Sequence, residues 1–129
     1  MTRSVVSEPI TGWGRPSLGD DLRLRLVYFG ATRIDERWVC RFVSEPIWRL
    51  YRNSADGATV HCDGRRYELR AGRVWLLPPW LTCRTACSGT VGHVNAHFEV
   101  PQWSRELVRA TFPAPIDCSA AVDGDALHA

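Results

Sequence analysis

The chain has 129 residues, 45% of them hydrophobic, and a formal net charge of +2. This length allows one domain with a real core and excludes two modules. So small a charge argues against the concentrated basic face of nucleic-acid binding proteins, and we expect no DNA binding by this chain alone. The opening stretch, MTRSVVSEPITGWGRPS, contains no apolar run. It therefore predicts neither a signal peptide nor a membrane span, and indicates a cytoplasmic protein with no membrane partner.

The cysteines are odd in number and scattered, without a CxxC pair. This pattern favours reduced thiols in a cytosolic protein over a disulfide framework. The five positions are Cys40, Cys62, Cys83, Cys87 and Cys118.

The predicted elements are almost all short strands. Residues 1–20 are rich in Pro, Gly and Ser and are expected to lack regular structure. Strict alternation predicts a strand at residues 22–29, and residues 37–43 and 47–53 are predicted as the next two strands. Five more follow: GATVHC, RRYEL, VWLL, TCRTA and VGHVNAHFEV. Short strands at such regular spacing predict an all-β sandwich or barrel.

One helix is predicted, over SRELVRATF, with Ser104 as its N-cap. Its apolar residues Leu107, Val108 and Phe112 are expected to face the core. The stretch that follows, from residue 113 onward, is small and polar and is expected to fray.

The dipeptide Asp63-Gly64 predicts a two-residue hairpin, because a type I′ turn needs positive φ at both central positions. One face of this hairpin, with Ala58, Val60, Tyr67 and Leu69, is predicted as core. The other, with Thr59, His61, Arg66 and Glu68, is predicted as a polar outer face. The fixed charge of Arg66 opposes a metal ion between His61 and Glu68. The turn sets the register as Cys62 with Arg65, His61 with Arg66, Val60 with Tyr67, Thr59 with Glu68, and Ala58 with Leu69.

The strand VGHVNAHFEV has one polar and one apolar face. His93, Asn95 and His97 alternate with apolar residues and therefore share a face. His93 and His97 lie about 13 Å apart along the strand, too far to bind one ion. Two interpretations are open at this point: a solvated outer face, or a polar lining of a cavity.

The stretch DGATVHCDGRRYELRAGRVWLLPP, followed by HVNAHF, resembles the N-terminal sensor domain of AraC-type bacterial transcription regulators. Its matching features are Gly57, Gly64, Gly72, the Pro78-Pro79 pair and the closing His97-Phe98. The resemblance covers residues 22–103 and implies an all-β cupin fold, a double-stranded β-helix of jelly-roll type. It divides the chain into an N-terminal arm (1–20), a cupin-like sensor domain (21–103), and a short helix with a frayed tail (104–129).

Catalytic cupins hold a metal ion through an HxH…E motif and a later histidine. The resemblance places Trp38 and Cys40 at the paired histidines, Glu45 at the acid and Cys83 at the later histidine. Only the acid remains, whereas a Zn or Fe(II) site needs three or four converging ligands. We therefore expect no metal, no other cofactor and no catalytic residues.

The resemblance to the arabinose-responsive member of the family implies a set of ligand-binding residues. Glu45 replaces an arginine of that member and Asn95 a tryptophan, and only His93 keeps the family residue. A different small polar effector is therefore expected: a sugar, a polyol or an amine, with the negative charge of Glu45 admitting amines. The arm around Pro9 is expected to fold over the pocket. The candidate ligand-binding residues are Ala31, Trp38, Glu45, Thr85, His93 and Asn95.

Two hypotheses follow for the function. The first is a ligand-sensing and dimerisation domain of an AraC-type transcription regulator, truncated before the DNA-binding half. The second is a stand-alone small cupin enzyme or metal-binding protein. The helix predicted after Ser104 begins the helical pair through which such sensors form homodimers, or else covers its own sheet.

Overall fold

The computed structural model describes residues 6–9 and 22–121. Their strands form two antiparallel sheets, one in the order β1-β2-β9-β4-β7-β10 and the other in the order β3-β8-β5-β6. The elements are β1 (Val6–Pro9), β2 (Arg23–Ile34), β3 (Arg41–Val43), β4 (Trp48–Asn53), β5 (Ala58–Cys62), β6 (Arg65–Leu69), β7 (Val74–Leu77), β8 (Thr82–Cys87), β9 (Val91–Glu99), α1 (Arg105–Thr111) and β10 (Ile116–Asp117).

The strands β2 to β9 pair as one long hairpin that has been rolled up. β5 pairs with β6, β4 with β7, β3 with β8, and β2 with β9. Additional pairing of β4 with β9 and of β5 with β8 joins neighbouring turns of the roll. This nested pairing across two sheets is the jelly-roll topology. The predicted all-β jelly roll is confirmed.

The innermost turn of the roll is the predicted Asp63-Gly64 hairpin. Both residues have positive φ, 51° and 81°. All five predicted pairs, from Cys62 with Arg65 to Ala58 with Leu69, are those observed. The core prediction is confirmed for Ala58, Val60 and Leu69, which are at most 2% exposed. Thr59, predicted on the solvated outer face, is buried at 8% exposure.

The strand prediction for residues 37–43 is wrong for its first four residues, because β3 begins only at Arg41. The preceding segment turns around Asp35, whose carboxylate accepts the backbone N–H of Arg37 at 2.9 Å and binds its guanidinium. A side chain that captures a backbone N–H in this way favours a turn over a sheet ladder.

Both ends of the described chain contribute strands that were not predicted. β1 pairs with β2 in a register that joins Pro9 to Arg23, at the edge of the larger sheet. The expectation of an irregular arm is therefore wrong for residues 6–9, while residues 1–5 and 10–21 lie outside the described residues. β10 pairs with β7, and Asp117 binds Arg73 at 2.6 Å. The tail is thus ordered through residue 121, and residues 122–129 lie outside the description.

Two of the cysteines form a disulfide, which contradicts the expectation of reduced thiols. Cys62 on β5 and Cys83 on β8 are direct cross-strand partners, and their Cα atoms lie 4.3 Å apart. Predicting this pair requires the register of β5 against β8, which no local turn determines. The other three cysteines are free thiols.

Between the two sheets lies a core made almost entirely of apolar side chains. Residues from both sheets contribute, because alternate side chains of each strand point into the roll. Its buried members are Ile34, Phe42, Tyr51, Ala58, Val60, Cys62, Leu69, Leu77, Leu81, Cys83 and Val91.

Helix α1 covers the outer side of the larger sheet. Ser104 caps it as predicted, by accepting the backbone N–H of Leu107 at 3.1 Å. Val108 is 2% exposed, but Leu107 is 50% exposed, so the prediction that both face the core is wrong for Leu107. Phe112 contacts Trp48 of β4. Of the two interpretations of this helix, its contacts match the one in which it covers its own sheet.

An outer aromatic cluster forms where the helix meets the sheet. Trp48 stacks on Phe98 of β9, and Trp103 stacks on Phe112, each pair with ring centroids 6.0 Å apart. Trp48 also meets the other two rings edge to face. No helix in the described ranges is long and apolar enough to cross a membrane.

Candidate ligand site inside the barrel

His93 points from β9 into the barrel. It is 2% exposed and lies between two aromatic rings, with its ring centroid 4.9 Å from those of Trp38 and Tyr51. The face of β9 that carries His93 and Asn95 is therefore the inner face. Of the two interpretations left open by the alternating pattern, the solvated outer face is wrong.

Asn53 holds the imidazole of His93 in place. The Nδ1 atom of His93 lies 2.7 Å from the Oδ1 atom of Asn53. An amide oxygen only accepts hydrogen bonds, so Nδ1 carries the proton and Nε2 is left as an acceptor. The β4·β9 register makes this contact possible, because it places Asn53 directly beside His93.

Three polar atoms of this region are buried without a hydrogen-bond partner: Nε2 of His93, Nδ2 of Asn53 and Oδ1 of Asn95. We call His93, Asn53 and Asn95 the interior polar cluster. A buried polar atom without a partner costs about 1–3 kcal/mol unless water or a ligand satisfies it. The cluster therefore has two hydrogen-bond acceptors and one donor without partners.

The histidines on the inner face of β9 are neutral at pH 7. Burial, with a smaller contribution from the nearby His97, lowers the pKa of His93 to about 4. Burial, followed by the positive charge of Arg49, lowers the pKa of His97 to about 4, while Glu45 acts in the opposite direction. These side chains offer hydrogen bonds rather than charge.

Thr85 and Trp38, both predicted to bind ligand, are joined to each other. Thr85 is 1% exposed, and its hydroxyl accepts the backbone N–H of Cys40 at 2.8 Å. The same hydroxyl donates to the backbone carbonyl of Trp38 at 3.2 Å. The hydroxyl is thus engaged in fixing the segment that carries Trp38, and this places the indole of Trp38 against His93.

Glu45 does not present a free negative charge. Its carboxylate lies 2.6 Å from the guanidinium of Arg49, which is 8% exposed and also lies over the ring of Phe42. The sequence analysis predicted a negative charge at this position, because Glu45 replaces an arginine of the arabinose-responsive protein. In the structure, an arginine four residues further along the chain compensates that charge.

Ala31 lies apart from the other candidates. It pairs with Val94, whose side chain points away from His93, so Ala31 belongs to the outer face, where it is exposed. On the inner face the neighbour of Asn95 is Gly30. A Cβ atom at Gly30 would overlap the ring of Tyr28, so the glycine makes room for Tyr28 to lie across the inner face.

Three inner-face residues were not among the predicted site residues: Tyr28, Tyr51 and Asn53. The strand at residues 47–53 was predicted, but no inner face was assigned to it. The available signal was the period-two alternation of Arg49, Tyr51 and Asn53, which share a face in any strand. Choosing which face is inner requires the pairing with β9.

In residues 6–9 and 22–121, no three side chains of His, Cys, Asp or Glu converge to hold a metal ion. Two of the positions that correspond to the catalytic cupin motif are bonded to other residues. Cys83 is bonded to Cys62, and Glu45 binds Arg49. The expectation that the protein carries no metal remains a prediction.

The sequence was compared with protein-family models and with curated proteins, and neither comparison found a match. The fold does have solved counterparts. The protein YhaK from Escherichia coli superposes with a TM-score of 0.53 at 12% identity, over 88% of this chain and 50% of YhaK. A predicted oxalate decarboxylase from Thermotoga maritima follows at TM-score 0.49 and 12% identity, covering 78% of this chain and 99% of its own. A cupin protein from Bacteroides fragilis has TM-score 0.47 and 11% identity, covering 79% and 90%.

At these identities the likeness concerns the fold alone. The superposition on YhaK agrees with the strand order, which confirms the predicted all-β jelly-roll fold class.

Proposed function

We propose that this chain is the ligand-sensing domain of an AraC-type transcription regulator, and that it catalyses no reaction. The order of glycine, proline and histidine motifs that resembles this family supports the proposal. The jelly-roll fold is consistent with it. In this fold Gly64 and Gly72 lie in turns, and His97-Phe98 lie on β9. DNA reading in such regulators belongs to a separate helical half, and we expect this chain alone to leave DNA unbound.

The observation that carries the ligand-binding part is the interior polar cluster. Asn53 and His93 are 1% and 2% exposed, and His93 contacts Tyr51 of the apolar core between the sheets. Each keeps a polar atom without a partner, and Asn95 adds a third. Placed hydrogen-bonding groups on an apolar, aromatic background are typical of small-molecule sites.

The effector we propose is small and uncharged, with hydroxyl groups, as in a sugar or a polyol. The pairing of Glu45 with Arg49 removes the reason for preferring an amine. The acceptor atoms of His93 and Asn95 suit hydroxyl donors, and the ring faces of Trp38 and Tyr51 suit the carbon side of a sugar.

The experiment is a thermal-shift screen of sugars, polyols, amines and carboxylic acids, followed by titration calorimetry of each hit. A compound that binds the interior polar cluster should have about tenfold lower affinity for Asn95→Ala and for His93→Gln than for the wild type. His61→Gln is the matched control, because His61 lies on the outer face of the β5–β6 hairpin. It should bind like the wild type.

A hit that binds all three variants equally well would show that the site lies elsewhere. Failure of every compound class to raise the melting temperature would contradict the sensing function. The alternative function, a small cupin enzyme or metal-binding protein, predicts close to one transition metal ion per chain. We expect elemental analysis of the purified protein to find far less than that.

A further inference from the structure

A cavity lies outside the barrel, at the corner where β9 leads into helix α1. Its volume is about 240 Å³, slightly below the usual range of ligand pockets, so it suits a small molecule. We call it the corner groove. It is lined by Arg25, Pro46, Trp48, Pro79, Trp80, Glu99, Val100, Pro101, Trp103 and Val108.

The body of the corner groove is apolar and rigid. Trp48 and Val108, 3% and 2% exposed, belong to the packed layer between α1 and the sheet. Trp103 is held by stacking on Phe112. The guanidinium of Arg105 lies 5.0 Å from the ring of Trp80. The aromatic lining is therefore positioned before any ligand arrives, which lowers the entropic cost of binding.

Trp80 adopts a backbone conformation that is unusual for a bulky residue. Its φ is 75°, in the left-handed region that glycine prefers. Contacts on both sides hold it there: its N–H donates to the carbonyl of Glu45 at 2.9 Å, and its own carbonyl accepts from Arg109 at 3.3 Å. Strain of this kind persists only where surrounding structure enforces it, and it concentrates at binding sites.

Two opposite charges stand together in the lining. One nitrogen of Arg25 binds one oxygen of Glu99 at 3.0 Å, with side-chain exposures of 47% and 26%. An ion pair this accessible to water contributes little to stability, so a ligand can insert into it at small cost. A guanidinium has five N–H donors and a carboxylate two oxygens, which leaves both groups able to bind further partners.

We propose that the corner groove binds a small zwitterion with an apolar body, such as an apolar α-amino acid or its N-methylated form. The ligand's ammonium group would bind Glu99, its carboxylate would bind Arg25, and its body would lie against Trp80 and Trp103. A ligand with only one charge would bind one member of the pair and leave the other member without an oppositely charged partner. The proposal does not depend on a ligand inside the barrel.

The test uses three matched ligands: L-phenylalanine, phenethylamine, which lacks the carboxylate, and 3-phenylpropionate, which lacks the ammonium group. Nuclear magnetic resonance follows the indole N–H signals of Trp48, Trp80 and Trp103 during titration. L-Phenylalanine should move these signals and bind about tenfold more tightly than either singly charged analogue. Glycine betaine, as a fourth arm, shows whether a methylated ammonium group is accepted too. The signals of His93 should stay in place throughout.

Two variants and two controls complete the test. Arg25→Gln and Glu99→Gln should each reduce the affinity for the zwitterion about tenfold. Arg23→Gln changes the same residue type two positions earlier on β2, and Glu106→Gln changes an exposed glutamate on α1. Both controls should leave the affinity unchanged.

Equal affinity for all three phenyl compounds would overturn the proposal, since the groove would then recognise only the ring. The absence of any indole shift with both zwitterions would also overturn it. Movement of the His93 signals alone would assign the ligand to the barrel, which would support the proposed sensing function and contradict the corner site.

Discussion

The two faces of β9 differ in how completely their side chains are satisfied. On the outer face, Phe98 stacks on Trp48 within the outer aromatic cluster, and every ring has close partners. On the inner face, His93 and Asn95 keep buried polar atoms without partners. Polar atoms left unpaired reduce stability, whereas packed rings increase it. The difference indicates that the outer face stabilises the fold, and it supports the proposal that the inner face binds a ligand.

The largest effect should come from the outer face. Trp48→Ala removes a buried ring that contacts three others, so we expect a loss of about 3–5 kcal/mol in the free energy of unfolding. Urea denaturation followed by circular dichroism measures it. Phe29→Ala is the control, since Phe29 is 40% exposed on the same sheet face, and its loss should stay below about 1 kcal/mol. Equal losses for both would contradict the assigned role of the cluster.

The next effect belongs to the inner face and depends on pH. The pKa of His93 is about 4 in the folded protein and 6.5 when unperturbed. Between these values the unfolded chain binds more protons, so the free energy of unfolding falls as the pH drops from 6.5 to 4. The loss is on the order of 3 kcal/mol. Above pH 6.5 this contribution is fully present.

Denaturation at a series of pH values measures this slope. The lowered pKa of His97 should contribute a loss of similar size, so His93→Gln should remove about half of the total pH dependence. His97→Gln should remove the other part. A slope in His93→Gln that matches the wild type would mean that the imidazole of His93 is solvated.

A smaller effect of opposite sign should separate binding from stability on the inner face. Asn95→Leu replaces a side chain whose oxygen has no partner with an apolar one, and we expect a gain of about 1 kcal/mol in the free energy of unfolding. The same variant should lose binding of any barrel ligand. A stability loss above about 1 kcal/mol would show that Asn95 is satisfied in the native protein.

The smallest effect should follow from breaking the ion pair of Glu45 and Arg49. Glu45 is half exposed, so water can replace its carboxylate, and Glu45→Gln should cost about 0.5 kcal/mol. Thermal unfolding of the variant and the wild type measures this loss of stability. The loss should be smaller at high salt than at low salt. If the loss exceeded about 2 kcal/mol, Arg49 would be an unsolvated buried charge that depends on this partner.

The structure could be predicted from the sequence wherever a local rule determines it. The Asp63-Gly64 turn type fixed the pairing of β5 with β6 down to individual residues. Alternation along β9 separated the face of His93 from the face of Phe98. The resemblance to a family added the fold class, which local patterns left as a sandwich or a barrel.

Features that depend on long-range register were beyond such rules. The contact of Asn53 with His93 spans 40 residues, and the Cys62–Cys83 bond joins strands that are not consecutive. The partner of Glu45 was missed for a related reason, since the inner face of β4 was unassigned before its pairing with β9 was known. Ala31 lies on the outer face, next to Gly30 on the inner one, because a shift of one residue along a strand exchanges the two faces.

The rolled-up hairpin also determines when the binding residues meet during synthesis. β5 and β6 can pair as soon as both have left the ribosome, but the contact of Arg25 with Glu99 joins residues 74 positions apart. Closing loops of this length costs entropy, and folds rich in such pairs form slowly. Asn53 emerges on the fourth strand and His93 only on the ninth. A nascent chain therefore has no interior polar cluster until β9 has been translated, so a ligand bound as proposed could not assist the earlier steps of folding.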